Sequence, residues 1–186
     1  MANWIQTWSG GVANLDAPLA VIDIEEIAHV LSQTCRFSGH TKHFYSVAQH
    51  SVLVHQIFIN LFPNAYKNQQ LAALLHDAHE AYWGFGDVST PAKNLNSKFF
   101  ESKAAMWDQL IADHFGFQYF EFGHTRIKEA DTIALATEKR DLMRTCVIPW
   151  CKNVEPWPDF INPLSPFIAE ELFLETFAEI QNVVRH

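Results

Sequence analysis

Apolar and polar positions follow the period of an α-helix along most of this chain. From Asp23 onward, apolar residues recur every three or four positions, and glycine or proline interrupts the runs. Strict alternation with a period of two is almost absent after Val21, so few strands are expected. The pattern predicts a compact all-α fold: a single domain over 1–186, with about six helices after a lead-in of twenty residues that is either irregular or hairpin-like.

Start and stop signals give approximate bounds for these helices. Asp23 is a suitable N-cap for the first helix, and Pro63 follows the second. The third helix should end where glycines follow Trp83. The six predicted helices cover about 23 to 36–39, 43–61, 67–83, 98–115, 124–145 and 165–184. Five prolines within 149–166 predict an extended connection over the surface between the last two helices.

The charge balance limits the partners that the chain can bind. Its 186 residues include 13 Lys and Arg against 21 Asp and Glu, which gives a formal net charge of −8. A surface of that sign repels phosphate backbones, so long nucleic acid is not an expected partner. An anionic substrate would need a local positive feature, such as a bound metal ion or a few arginine and lysine side chains.

Cysteine usage and hydropathy predict the compartment. The three cysteines form no CxxC pair and leave one over, which argues against a disulfide framework and against a thiolate zinc site. The N-terminus has no signal-peptide pattern, and no run of 18 apolar residues occurs. A soluble, cytosolic protein with no membrane partner is therefore expected.

Histidines beside carboxylates are the most informative residues. His76 and Asp77 directly follow the apolar run 71–75, where a buried carboxylate is unfavourable unless it is paired or shares a cation with imidazoles. His50 lies among small and apolar residues of the second helix, and Asp131 interrupts the apolar stripe of the fifth. These four side chains are the predicted metal ligands.

The donor types narrow the ion to a class. Two imidazoles and two carboxylates suit zinc, cobalt, manganese, iron or magnesium, and they leave coordination positions for water and phosphate oxygen. A structural interpretation stays open, in which His50 is a core histidine and Asp131 a salt-bridged carboxylate.

The ordered set His50, His76-Asp77 and Asp131 resembles the signature of the HD-domain phosphohydrolase superfamily. The resemblance extends to Arg36, to Glu80 and to the loop Gly86-Asp87-Val88-Ser89-Thr90-Pro91. The set is similar to that of small HD enzymes acting on deoxyribonucleotides, both 5′-deoxynucleotidases and phage-type dATP triphosphohydrolases.

The resemblance implies a role for each matched residue. One or more divalent ions are held by His50, His76, Asp77 and Asp131, and Asp77 and Glu80 are catalytic. Glu80 and Asp87 are placed to hold a second ion or to contact substrate. Arg36, Phe37, Thr90 and Lys93 bind the substrate. His79 is interpreted instead as part of a solvated helix face.

The implied activity is metal-dependent hydrolysis of deoxyribonucleotide phosphates. A dATP-type triphosphohydrolase giving deoxynucleoside and tripolyphosphate is the first expectation, and the alternatives are a 5′-deoxynucleotidase acting on dNMPs or a non-catalytic nucleotide-binding domain. Related enzymes imply a homo-oligomer, a dimer or larger, in the cytosol of a bacterium or of a phage-infected host. Phe37 and Ser89 depart from the tryptophan and proline common at these places, so base selection is not implied.

Overall fold

The computed structural model describes residues 3–17, 20–148, 150–151 and 153–182. Within these residues, strands β1 (Trp4–Gln6) and β2 (Val12–Asn14) form an antiparallel hairpin in which Trp4 pairs with Asn14. The helices are α1 (Ile24–Gln33), α2 (Val47–Leu61), α3 (Lys67–Leu74), the single turn α4 (Thr90–Lys93), α5 (Ser97–Phe115), α6 (Thr125–Leu142) and α7 (Pro166–Asn182). The prediction of an all-α fold with about six helices and a hairpin-like lead-in is confirmed.

Short 3-10 helices connect several of these helices, at Arg36–Gly39, Ala78–Ala81, Asn94–Asn96 and Tyr119–Gly123. None of the helices in the described ranges combines the length and the apolar character needed to cross a bilayer.

The helix bounds agree best with the prediction where one local cap decides them. The Asp23 side chain accepts the backbone N–H of Glu25 at 2.9 Å, and α1 begins directly after it. Helix α5 ends at Gly116, whose φ of +75° is a left-handed conformation that suits glycine. Helix α2 begins at Val47, later than predicted, because the Ser46 hydroxyl caps it by accepting the backbone N–H of Gln49.

The predicted third helix was wrong beyond Leu74. The imidazole Nδ1 of His76 bonds the backbone carbonyl of Ala73 at 3.0 Å, and a continuing helix would need that carbonyl for the N–H of Asp77. The chain turns at Leu75, whose carbonyl accepts the N–H of Ala78, and it resumes as the 3-10 helix Ala78–Ala81. His76 and Asp77 therefore lie in a break between two helices.

Helix α2 is the centre of the packing. It contacts α1, α3, α6 and α7, and ten of its residues are buried. The described residues of the connection after α6 contain no helix, and Gln49 fixes this connection through the carbonyl of Asn162 and the N–H of Leu164. Arg140 of α6 bonds the carbonyl of Trp157 at 2.7 Å. The described part of the predicted extended connection thus lies against α2 and α6. Pro149 and the predicted end of the last helix at Val184 fall outside the described residues.

His55 on α2 predicts how stability depends on pH. The residue is 5% exposed, neither ring nitrogen has a hydrogen-bond partner among the described residues, and burial lowers its pKa from 6.5 to about 4. Between these values the unfolded chain binds more protons than the folded chain, so the free energy of unfolding falls as the pH decreases from 6.5 to 4. This titration accounts for a loss on the order of 3 kcal/mol.

Urea unfolding of the wild type and of His55→Asn at pH 7 and pH 4 measures this contribution. The variant should lose less stability on acidification, whereas His114→Asn, a change at an exposed histidine of α5, should behave as the wild type. Equal losses in the wild type and His55→Asn would contradict the assignment.

Candidate metal centre

His50 carries its imidazole to the point where the predicted ligands meet. The residue has no exposed surface. Its Nε2 lies 3.2 Å from Nε2 of His76, 3.3 Å from Oδ1 of Asp131 and 3.6 Å from Oδ2 of Asp77. The fold therefore gathers three of the predicted ligands, from the break after α3 and from α6, around one nitrogen atom of the fourth, His50 of α2.

The hydrogen bonds of both imidazoles fit a bound cation. Nδ1 of His50 donates to Oε1 of Glu138 at 2.7 Å, and Nδ1 of His76 donates to the carbonyl of Ala73. Each neutral ring then directs an unprotonated Nε2 at the other, and two lone pairs at 3.2 Å repel unless a proton or a cation lies between them. Ligand atoms of His50, His76 and Asp131 lie within 4.8 Å of one another, a spacing that could hold one ion.

The charged groups around Nε2 of His50 favour a proton or a metal cation at this position. Burial would raise the pKa of Asp77, but His76, His50 and Arg36 hold it well below its usual range. The Asp131 side chain is 43% exposed, so burial opposes its ionisation only in part, and the contact with His50 lowers its pKa. Burial and Arg36 act to lower the pKa of His50, yet the adjacent carboxylates raise it to about 9. A proton on His50 thus occupies the place that a cation would take.

Glu138 is a central residue that sequence reasoning missed. It is fully buried on α6, where its Oε1 accepts from His50 and its Oε2 accepts from the guanidinium of Arg36 at 3.1 Å. A carboxylate that accepts the second N–H of a ligating histidine fixes the tautomer and orientation of the ring. One signal was available, since Glu138 follows Asp131 by seven residues and so shares its helix face.

The segment after α1 places Arg36 and Phe37 beside the centre. Arg36 is buried, and one of its terminal nitrogens lies 3.6 Å from Oδ2 of Asp77. Phe37 and Ser38 both have a left-handed backbone, with φ of 53° and 50°, which is strained for residues other than glycine. Oδ2 of Asp87 accepts the backbone N–H of Phe37 at 2.9 Å and stabilises this turn. The role of Asp87 at a second ion stays a prediction.

Glu80 and Lys93 lie on the other side of Asp77. Glu80 is 3% exposed, and burial with the charges of Asp77 and Asp87 raises its pKa well above the usual range. Lys93 places its Nζ 3.8 Å from Oε1 of Glu80 and 5.0 Å from the centroid of the Trp83 ring. Glu80 belongs to the 3-10 helix Ala78–Ala81 and not to the helix predicted to include His76.

Two further residues complete the outcome of the site prediction. Thr90, predicted to contact substrate, is exposed at the start of α4, the turn that carries Lys93. The interpretation of His79 as a solvated residue was wrong, because it is 6% exposed and its Nδ1 lies 3.0 Å from Oδ1 of Asp108.

The comparisons with known proteins establish kinship. The chain matches no protein-family model. It is 38% identical over 167 residues to the uncharacterized protein YfdR of Escherichia coli K12, an alignment that covers 87% of this chain and 86% of YfdR. It is also 42% identical over 93 residues to an uncharacterized protein of Rhodobacter capsulatus, with 48% of this chain and 46% of that protein covered. Since the similarity to YfdR extends over nearly the whole of both chains, this protein belongs to the YfdR family.

Proposed function

We propose that this protein is a metal-dependent phosphohydrolase of deoxyribonucleotides that acts in the cytosol. The first candidate reaction is triphosphohydrolysis of dATP, in which water adds to the phosphorus next to the nucleoside and deoxyadenosine and tripolyphosphate are released. The observation that carries the proposal is the convergence of His76, Asp77 and Asp131 on Nε2 of His50. The substrate class is supported by the resemblance of these residues to those of small HD enzymes.

A divalent ion bound by these four side chains would neutralise phosphate charge and activate water for attack. The chain itself determines where the ligands lie. Glu138 holds the His50 ring with Nε2 directed at Asp131, and the His76 ring is fixed by the carbonyl of Ala73. The ligands are preorganised, because neither imidazole can rotate without losing its hydrogen bond.

Arg36 supplies the positive charge that an anionic substrate needs near a chain of net charge −8. One terminal nitrogen is bonded to Glu138 and the other lies near Asp77, so the guanidinium is held at the edge of the ligand cluster. From this position it can bind phosphate oxygens that also contact the cation. Lys93, on the far side of Glu80, is placed to bind a more distant phosphate.

Glu80 is the candidate general base. Its Oε1 faces Lys93, and its Oε2 is buried without a hydrogen-bond partner among the described residues. A carboxylate whose pKa is raised by burial and by Asp77 and Asp87 accepts a proton more readily than an ordinary one. Glu80 would take the proton of the attacking water through Oε1, the oxygen that faces Lys93, and would return that proton to the departing 5′-oxygen as deoxyadenosine leaves.

Incubation of the purified protein with dATP and with dAMP, in the presence of manganese or cobalt, tests the reaction. We expect release of tripolyphosphate and deoxyadenosine from dATP. Anion-exchange chromatography and 31P NMR detect the two products. Cleavage of dAMP with dATP untouched would assign a 5′-deoxynucleotidase instead. Binding of both nucleotides without turnover would identify the protein as a non-catalytic nucleotide-binding domain.

Removal of a ligand should empty the centre. Asp131→Asn keeps the shape of the side chain but removes its charge, and His50→Ala removes the nitrogen on which the other ligands converge. Either change should reduce the bound metal to background and abolish hydrolysis. Elemental analysis after dialysis against metal-free buffer measures the metal content, with His114→Ala as the exposed control. Wild-type metal content in both variants would refute the centre.

Glu138→Gln should weaken the centre while every ligand stays in place. The amide can still accept from His50, but its NH2 group then faces Arg36 and both partners lose the negative charge. Metal affinity should fall about 10- to 100-fold, the usual scale for such supporting residues. Titration against a competing chelator gives the affinity. Glu129→Gln, an exposed change on the same helix, should have no effect, and an unchanged affinity in Glu138→Gln would contradict the role of Glu138.

A further inference from the structure

A second group of ligating side chains follows directly after Asp77. One oxygen of Asp77, one ring nitrogen of His79 and one oxygen of Glu80 lie within 4.8 Å of one another. The break after α3 brings them together, because the N–H of Glu80 bonds the carbonyl of Asp77 at 3.0 Å. In such a 3-10 turn, side chains three residues apart lie one above the other.

Two atoms of this group are buried without a partner. Nε2 of His79 and Oε2 of Glu80 have no hydrogen bond among the described residues, although both side chains are more than nine-tenths buried. Such a buried polar atom destabilises a protein by about 1 to 3 kcal/mol, so its presence requires an explanation. A cation that accepts both lone pairs would remove the two penalties at once.

Asp108 of α5 prepares His79 for that role. Its Oδ1 accepts the N–H of His79 Nδ1 at 3.0 Å, which leaves Nε2 unprotonated in the neutral ring. The arrangement repeats that of Glu138 and His50 in the first centre. The Trp83 ring meets the imidazole edge-on at a centroid distance of 4.5 Å and restricts its rotation.

Neighbouring charged groups do not pair with Oε2 of Glu80 among the described residues. Lys93 approaches Oε1 of Glu80 at 3.8 Å and not the unpartnered Oε2. The resemblance paired Glu80 with Asp87, one oxygen of which accepts the backbone N–H of Phe37, and that pairing stays a prediction. His79 is the partner of Glu80 whose ring nitrogen is buried and unpartnered among the described residues.

We propose that Asp77, His79 and Glu80 hold a second divalent cation, with Asp108 as the residue that positions His79. Two carboxylates and one imidazole suit manganese, cobalt or iron. This inference rests on the proposed function in one respect, because Asp77 is a ligand of both the first and the second ion. Ions that share a carboxylate lie about 3.5 to 4 Å apart, the spacing of two-metal hydrolase sites.

Titration of the metal-free full-length protein with Mn²⁺, followed by EPR, tests the second position. The wild type should bind two ions per chain and give the broadened signal of a spin-coupled pair. His79→Asn should bind one ion without coupling. Asp108→Asn should weaken the second ion about 10- to 100-fold and leave the first unchanged. His114→Asn, at an exposed position of the same helix, should match the wild type.

Each result distinguishes this inference from the proposed function. Two coupled ions in His79→Asn would overturn the second position. A single ion in the wild type, lost in Asp131→Asn, would also overturn it and leave the first centre standing. No bound ion in the wild type would overturn both. If circular dichroism shows that His79→Asn does not fold, Glu80→Gln takes its place, since it removes the charged Oε2 ligand and should likewise bind one uncoupled ion.

Discussion

Both oxygens of the buried Glu138 carboxylate accept hydrogen bonds, one from His50 of α2 and the other from Arg36 of the segment after α1. Burial would raise the pKa of Glu138, but these two partners lower it, so the group stays charged inside the protein. Loss of either partner would leave an uncompensated buried charge, at a cost of about 3 to 5 kcal/mol. The packing of α2 on α6 is constrained by this balance, and Asp131 lies on the same face of α6. The interaction that fixes the fold here also orients the candidate ligands.

Local chemistry explains which parts of the fold were predictable. The bounds of α1 and α5 depend on Asp23 and Gly116, whose effects are confined to a few neighbouring residues. The early end of α3 depends on the His76 imidazole, which competes for the carbonyl of Ala73. The hydrophobic periodicity continues through Leu75, so it does not indicate that the helix ends at Leu74. The same break creates the turn that holds Asp77, so the error in the helix and the position of the site share one cause.

The site was predictable where burial alone made a residue unfavourable. His50 and Asp77 attract attention because charged or polar groups are costly in apolar surroundings. Asp131 does so because it interrupts an apolar stripe of the sequence, although its side chain is 43% exposed in the structure. Glu138 escaped it because its neighbours Thr137 and Lys139 are polar, and His79 escaped it because it was placed on a solvated helix face. Their actual partners are remote in sequence, with Arg36 separated from Glu138 by 102 positions and Asp108 from His79 by 29. A single sequence carries no information on such pairings before the helices are packed.

The spread of the ligands along the chain determines when the centre can form in a cell. His50 leaves the ribosome long before Asp131 and Glu138, and α7, which packs on α1 and α2, follows later still. The nascent chain therefore exposes an incomplete ligand set until most of the protein has been synthesised. Binding of the proposed ion would consequently follow the synthesis of α6 and α7. An ion at the proposed centre would then be drawn from the divalent metals that the nearly finished polypeptide meets.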